Sequence, residues 1–285
     1  MIAEAKHLAG VAEDFNENLE LELLFEAINS KYGFDFRNYS NYLLKKQVLH
    51  YVAQIGCANI SELTHRLIYE PNLFPQFFQR LSINTTEMFR DPDFYHALRD
   101  KVLPLLAEEE IIKIWHAGCS TGEEVYSLAI LLRESGITQK TLVYATDFNH
   151  VVLEKARAGI YPVHRIKQYT RNYQAAGGEA PFSQYYTAHY NFAQFNPELR
   201  QNIIFANHNL ATEDTFAEVN LILCRNVLIY FNPFLQNRAL SLFRSSLPPA
   251  GILCLGKSET LRFTEISDDF DELVPEQKIY RKKYS

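Results

Sequence analysis

The chain has 285 residues, 47% apolar and 22% charged, the balance of a soluble globular protein with one large domain or two unequal ones. No apolar run nears the roughly 18 residues of a membrane span, and the N-terminal stretch turns acidic where a secretion signal needs an apolar core. The net charge of −6 argues against a nucleic-acid binder, and Cys57, Cys119, Cys224 and Cys254 have neither CxxC nor zinc-ligand spacing, so a reduced, cytoplasmic protein is expected.

Charge is uneven along the chain. Residues 1–30 carry a net −6, residues 31–80 a net +3, and the rest a net −3. Over residues 20–82 the apolar spacing predicts helices: Leu21, Leu24, Phe25 and Ile28 recur at three- and four-residue steps, then Leu44, Val48 and Val52. Gly33 and Gly56 stand at expected helix ends, and Ser61 is the expected cap of the segment beginning ELTHRL. These signals predict an all-helical N-terminal domain over 1–80, followed by a linker over 81–110.

From 111 the pattern changes to apolar, β-branched runs: IIKIWH (111–116), TLVYAT (141–146), NIIFA (202–206), VNLILC (219–224) and GILCLG (251–256). Helical spacing between them at 123–134, 149–158 and 234–247 predicts an α/β domain over 111–285, a doubly wound, mostly parallel sheet covered on both faces. Asn232 and Pro233 read as the N-cap and first residue of the last helix, and the tail QKIYRKKYS as an edge strand. Residues 163–200, rich in Tyr, Phe, Gln and Asn, exceed what a plain crossover needs and read as an inserted β-subdomain, with a long surface loop as the alternative.

The densest local signal is WHAGCSTGEEVYSLAI (115–130), a strand, a turn at Ala117 and Gly118, and a helix starting near Glu123. Gly118 and Gly122 are expected to admit a ligand close to the backbone, although a third glycine of the dinucleotide fingerprint is missing. Two glutamates at a helix start suit a cationic ligand group better than a pyrophosphate. Glu123 reads as facing water at the helix dipole, Glu124 as facing the ligand. Asp147 ends the next strand, 25 residues after Gly122, where doubly wound folds place the acid that holds ribose hydroxyls; the alternative is an N-cap of the following helix. Together these predict a pocket for an adenosine carrying a sulfonium.

Four stretches in this order and spacing resemble the CheR-type chemotaxis receptor methyltransferases: SINTTEMFRDPDFY (82–95), AGCSTGEEVYSLA (117–129), YATDFNHVVLEKARAGIY (144–161), and CRNVLIYF (224–231) with GKSE (256–259). The resemblance spans about residues 20–280. It implies a class I methyltransferase domain using S-adenosylmethionine, releasing S-adenosylhomocysteine, and esterifying glutamates on cytoplasmic helices of a chemoreceptor. Position by position it implies cofactor contacts at Asn84, Thr86, Arg90, Ala117, Gly118, Glu124, Asp147, Asn209, Leu210, Arg225 and Asn226. It places Tyr230 near the transferred methyl and implies no metal; Arg90 and Tyr230 are expected to orient the acceptor carboxylate.

The residues read alone leave several alternatives open. Arg90 could serve a surface salt bridge, Tyr230 the apolar core, and Asn226 a turn. The stretch 42–56 keeps Lys45 and Lys46 but has His50 and Gln54 where the family carries more arginines, which leaves the partner open between a chemoreceptor and a related signalling protein. The insert 179–195 lacks the glycine-bearing pattern of members that grip a receptor-tail pentapeptide, so no such tether is expected. Rival classes are a cofactor-binding module without turnover, a methyltransferase acting on a small molecule or nucleic acid, and a nicotinamide dehydrogenase on the same kind of core.

Overall fold

The computed structural model describes residues 2–81 and 86–284, the side chains of 2–14, Asn41 and Gln79 excepted. The chain divides into two units, residues 1–83 with Tyr230–Leu235, and residues 84–229 with Gln236–Ser285.

Among the described residues the first unit is helical: α1 (Ile2–Tyr32), α2 (Asn41–Gln54), α3 (Ile60–Tyr69) and α4 (Phe74–Leu81). The periodic residues form its core, with Leu21, Leu24, Phe25, Ile28, Leu44, Val48 and Val52 all buried. Gly33 and Gly56 take φ of 75° and 73° just past helix ends, where a side chain would be strained. The cap of α3 differs from expectation. Asn59 accepts the Glu62 N–H at 2.9 Å, while the Ser61 hydroxyl donates to Glu20 at 2.6 Å, because the helix already starts at Ile60. Tyr39 bridges Phe231, which ties the Tyr230–Leu235 segment to this unit.

The second unit opens with helical turns, α5 (Pro92–Ala97) and α6 (Leu103–Leu106), within the expected linker. The doubly wound sheet follows: β1 (Ile112–Ala117), α7 (Glu123–Glu134), β2 (Thr141–Asp147) and α8 (His150–Ala158). After β3 (Ile160–Pro162) and α9 (Val163–Ala175) come β4 (Tyr186–His189), β5 (Phe192–Phe195), β6 (Ile203–Asn207) and β7 (Leu221–Cys224). The chain closes with α10 (Pro233–Ser246), β8 (Ile252–Leu255), β9 (Phe270–Val274) and β10 (Ile279–Lys282). Asn232 caps α10, its carboxamide oxygen accepting the Leu235 N–H at 2.9 Å, with Pro233 as first residue.

The seven-stranded sheet has the order β6-β2-β1-β7-β8-β10-β9. All neighbours are parallel except those of β10, which runs antiparallel to β8 and β9. Strands β1, β7 and β8 are buried almost throughout because helices cover both faces, which explains their unbroken apolar runs. The tail strand is a correction: it lies inside the sheet, and β9, with charged residues at Asp271 and Glu272, is the edge. Helix α9 fills the first third of the predicted insert. Strand β5 pairs with β4 on one side and with β3, which precedes 163, on the other, in a separate three-stranded antiparallel sheet.

The strand order reverses at β1, flanked by β2 on one side and β7 on the other. Such a reversal opens a crevice beyond the C-terminal ends of the strands. Ala117, Asp147, Asn209 and Arg225 all follow or end those strands.

Candidate active site

The turn after β1 is built by backbone demands before any ligand is considered. Gly118 has φ 75°, and a Cβ there would stand 2.5 Å from Val227 Cγ2. Gly122 has φ 91°, and its Cβ would meet Ala156 at 2.8 Å. These glycines are required by handedness and by internal packing, where the sequence suggested close approach of a ligand. Ser120 between them also takes a positive φ of 51°.

Asp147 stabilises this turn. One carboxylate oxygen accepts the Ser120 N–H and the other the Asn149 N–H, each at 2.9 Å. Asn149, not Asp147, caps α8 by accepting the Val151 N–H. Burial pushes the Asp147 carboxyl up, against the N–H groups of Asn149 and Ser120. The Phe148 N–H also acts on this carboxylate, and of its about four lone-pair sites the remainder can accept a hydroxyl.

Glu124 is not an isolated acid. Its side chain is 8% exposed and lies 3.3 Å from the Arg225 guanidinium and 3.5 Å from His116 Nε2. Burial alone would raise its pKa, but Arg225 and His116 outweigh that and bring it down to about 2. Arg225 also donates to Asp91 at 2.7 Å, contacts the Arg90 carbonyl at 3.4 Å, and lies 3.9 Å over the Phe94 ring. Lys257 Nζ lies 3.8 Å from the other Asp91 oxygen, so two cations, Arg225 and Lys257, face the two carboxylates of Asp91 and Glu124.

Glu123 corrects the expectation that it faces water. It is 2% exposed, accepts the Thr121 hydroxyl at 2.6 Å, and lies 3.6 Å from Arg165 on α9. Burial raises its pKa against the Thr121 hydrogen bond.

Of the other predicted residues, Arg90 and Thr86 are half-buried in the segment leading to α5, and Asn84 lies outside the described residues. Asn209 accepts the Ala211 N–H at 2.9 Å and shapes the turn that carries buried Leu210. Asn226 follows Arg225 with φ 60°. Tyr230 counts with the helical unit, where its carbonyl accepts the Ser40 N–H at 2.7 Å.

Sequence reasoning missed Asp91, Phe94, His116 and Glu259. All four stood inside the quoted stretches, so their position was visible although their partners were not. Glu259 accepts N–H groups from Asn226, Val227, Ile229 and Gly256.

Among the described residues, several buried polar atoms here have no hydrogen-bond partner: Asn226 Oδ1, Glu124 Oε1, and both ring nitrogens of His116. Two unused acceptors suit an ammonium group, and Asp147 suits a hydroxyl. This set of acceptors thus fits an amino-acid nucleoside such as S-adenosylmethionine.

The fold and turn define a doubly wound domain with a nucleoside crevice, joined to a separate helical domain. Residues 84–277 match the CheR methyltransferase SAM-binding domain and residues 19–82 the CheR all-alpha domain, so the chain belongs to the CheR methyltransferase family and S-adenosylmethionine is its cofactor. It is 49% identical over 267 residues to a protein of Pseudomonas putida named "Putative methyltransferase Cher3", covering 94% of this chain and 98% of that one. It is 29% identical to the chemotaxis protein methyltransferase of Listeria monocytogenes (86% and 92% covered) and 30% identical to that of Borreliella burgdorferi (87% and 92% covered). Among solved structures, the N-methyltransferase NodS from Bradyrhizobium japonicum aligns with TM-score 0.34 and 15% identity, over 62% of this chain and 64% of that one.

Proposed function

We propose that the chain transfers a methyl group from S-adenosylmethionine to glutamate side chains of a chemotaxis signalling protein, leaving methyl esters. The observation that carries this reading is the placement of Glu124, Asp147 and Asn226, whose Oδ1 has no partner among the described residues, at or just past the C-terminal ends of β1, β2 and β7 in a chain of the CheR methyltransferase family. Full-length similarity to proteins named chemotaxis protein methyltransferases supports the signalling context.

The bound cofactor supplies an electrophilic methyl on a sulfonium. In this reading Asp147 holds a ribose hydroxyl while the Ser120 and Asn149 N–H groups fix its carboxylate. Asn226 Oδ1 and Glu124 receive the amino group. Ala117 and Gly118 give the nucleoside a wall, Asn209 and Leu210 its base side, and Thr86 and Asn84 the remaining contacts. A glutamate acceptor with a reference pKa of about 4.3 is already ionised at neutral pH, so no side chain must remove a proton. Charge disappears as the anion meets the sulfonium, so the residues contribute by orientation and water exclusion, worth roughly 7–11 kcal/mol in well-aligned cases. We assign that orientation to Arg90 and Tyr230.

The partner is the least constrained part. Lys45, in the stretch where the family concentrates arginines, pairs with Glu17 at 2.8 Å and with Asn18 within its own helical unit. That leaves exposed Lys46 as the basic group of the pair, and favours a related signalling protein over a strongly acidic receptor helix. No pentapeptide tether is part of the reading.

The test is methyl-ester mass spectrometry on cells with and without the protein, with release of the methyl by mild base identifying an ester. Arg90→Ala is expected to cut transfer about a hundredfold while changing S-adenosylhomocysteine affinity less than about tenfold. Near-normal turnover would remove Arg90 from the mechanism.

A further inference from the structure

The loop after β7 is organised around an anion that belongs to the protein. Glu259 is 5% exposed, and its two carboxylate oxygens accept four backbone N–H groups. One oxygen takes Val227 at 2.9 Å and Ile229 at 3.3 Å. The other takes Asn226 at 3.0 Å and Gly256 at 2.5 Å. Successive N–H groups converging where one residue is left-handed form an anion-binding concavity. Asn226, at φ 60°, is that residue, in a conformation that costs free energy unless its surroundings enforce it.

Two more observations show how tightly the loop is set. Gly256 has no room for a side chain, since a Cβ would come within 2.8 Å of both Asn226 N and Glu259 Oε2. On the other side, Val227 occupies the space a Gly118 Cβ would need, so the loop is seated on the glycine turn itself. A shift of the 226–229 backbone would move the Asn226 oxygen and break the contact with that turn together.

We propose that Glu259 is a positioning residue of the candidate site, acting as the built-in anion that shapes the 226–229 backbone and thereby aims Asn226, an inference that rests on the cofactor reading for its functional consequence. Glu259 touches no reacting group. It acts through the backbone of residues that do, from a motif to which the family resemblance gave no residue role.

The experiment combines amide hydrogen exchange with calorimetric titration of S-adenosylhomocysteine into the full-length chain and its Glu259→Gln variant. Glutamine keeps the shape but turns an N–H donor toward a ring of donors. Protection of Asn226, Val227 and Ile229 is expected to fall by about a hundredfold or more while β1 amides keep theirs, and the dissociation constant to rise about tenfold or more. Gly256→Ala presses on the same loop with the carboxylate intact and is expected to give the same local signature, so it decides the matter if Glu259→Gln fails to fold. Wild-type protection and affinity in the variants overturn the proposal. So does protection lost evenly over the whole second unit, which would mean that Glu259 serves general stability. A wild-type chain that binds no S-adenosylhomocysteine sinks the cofactor reading instead, and the exchange pattern still decides whether Glu259 braces the loop.

Discussion

Replacing Glu124 with glutamine tests the buried cluster directly. The fall of the Glu124 pKa from 4.5 to about 2 corresponds to about 3 kcal/mol of preference for the charged form in the folded protein. Burial works against that preference, so Arg225 and His116 supply more than the net. Glutamine leaves Arg225, whose side chain is 1% exposed, with Asp91 as its one carboxylate ion-pair partner among the described residues. Against a typical total stability of about 5–15 kcal/mol, a loss of about 3 kcal/mol is large. The depressed pKa makes this stabilisation fully present above about pH 4.5 and lost as pH falls from there toward 2. Urea unfolding followed by circular dichroism should show a gap between wild type and Glu124→Gln of about 3 kcal/mol at pH 7. The gap should narrow below about pH 4.5. A gap under about 1 kcal/mol at pH 7, or one that widens in acid, would refute the account of a paired, buried carboxylate.

Asp147→Asn should weaken S-adenosylhomocysteine binding about tenfold by calorimetry. The Asp147 pKa is raised, so wild-type affinity should begin to fall on acidification above its ordinary 3.8, and the asparagine variant should lack that dependence. The same shift means that the charged form costs stability at neutral pH and that the cost eases as pH drops. Gly118→Ala should destabilise by about 2–4 kcal/mol, combining a left-handed φ with a 2.5 Å clash against Val227. Adding Val227→Ala should recover the packing share and leave the backbone share, and full recovery in urea titrations would show that φ 75° carries no strain.

The elements were legible where burial on both faces gave a continuous apolar run. Helix α7 falls on the residues its periodicity predicted, and β1 and β2 within one residue of theirs. The misses share a cause in weak pattern. Strand β3 is three residues long, and β9, an edge with one buried position in five, reads FDELV without a clean apolar face. The tail was recognised as a strand, yet its interior position depends on that unrecognised neighbour. At the site, local signals located the turn and Asp147, because a glycine pair and a strand-end acid are readable within thirty residues. The pairing of Arg225 with Glu124 and Asp91 was not readable, since it joins residues separated by 101 and 134 positions and nothing local marks them as partners. Glu123 was misread because a helix-start acid looks the same in sequence whether it faces water or a tyrosine-rich insert.

Backbone strain offers a physical account of why so many polar groups gather here. Among the described residues, eight non-glycine residues have positive φ, and Phe89, Asp91, Ser120 and Asn226 stand on the segments of this site. Each left-handed residue of this kind costs about 1–2 kcal/mol unless something enforces it. In each case a side chain from a distant part of the chain does so. Ser127 accepts the Phe89 N–H at 2.8 Å, Asp147 that of Ser120 at 2.9 Å, and Glu259 that of Asn226 at 3.0 Å. Asp91 is held through its carboxylate by Arg225 at 2.7 Å. The buried acids Asp147 and Glu259 therefore have a task that precedes ligand binding, which is to keep the turns at Ser120 and Asn226 in place. That is why the proposed ribose contact would fall on the same Asp147 carboxylate that makes the structural contacts. Substitutions there are expected to change affinity and local order together, read by calorimetry and amide hydrogen exchange.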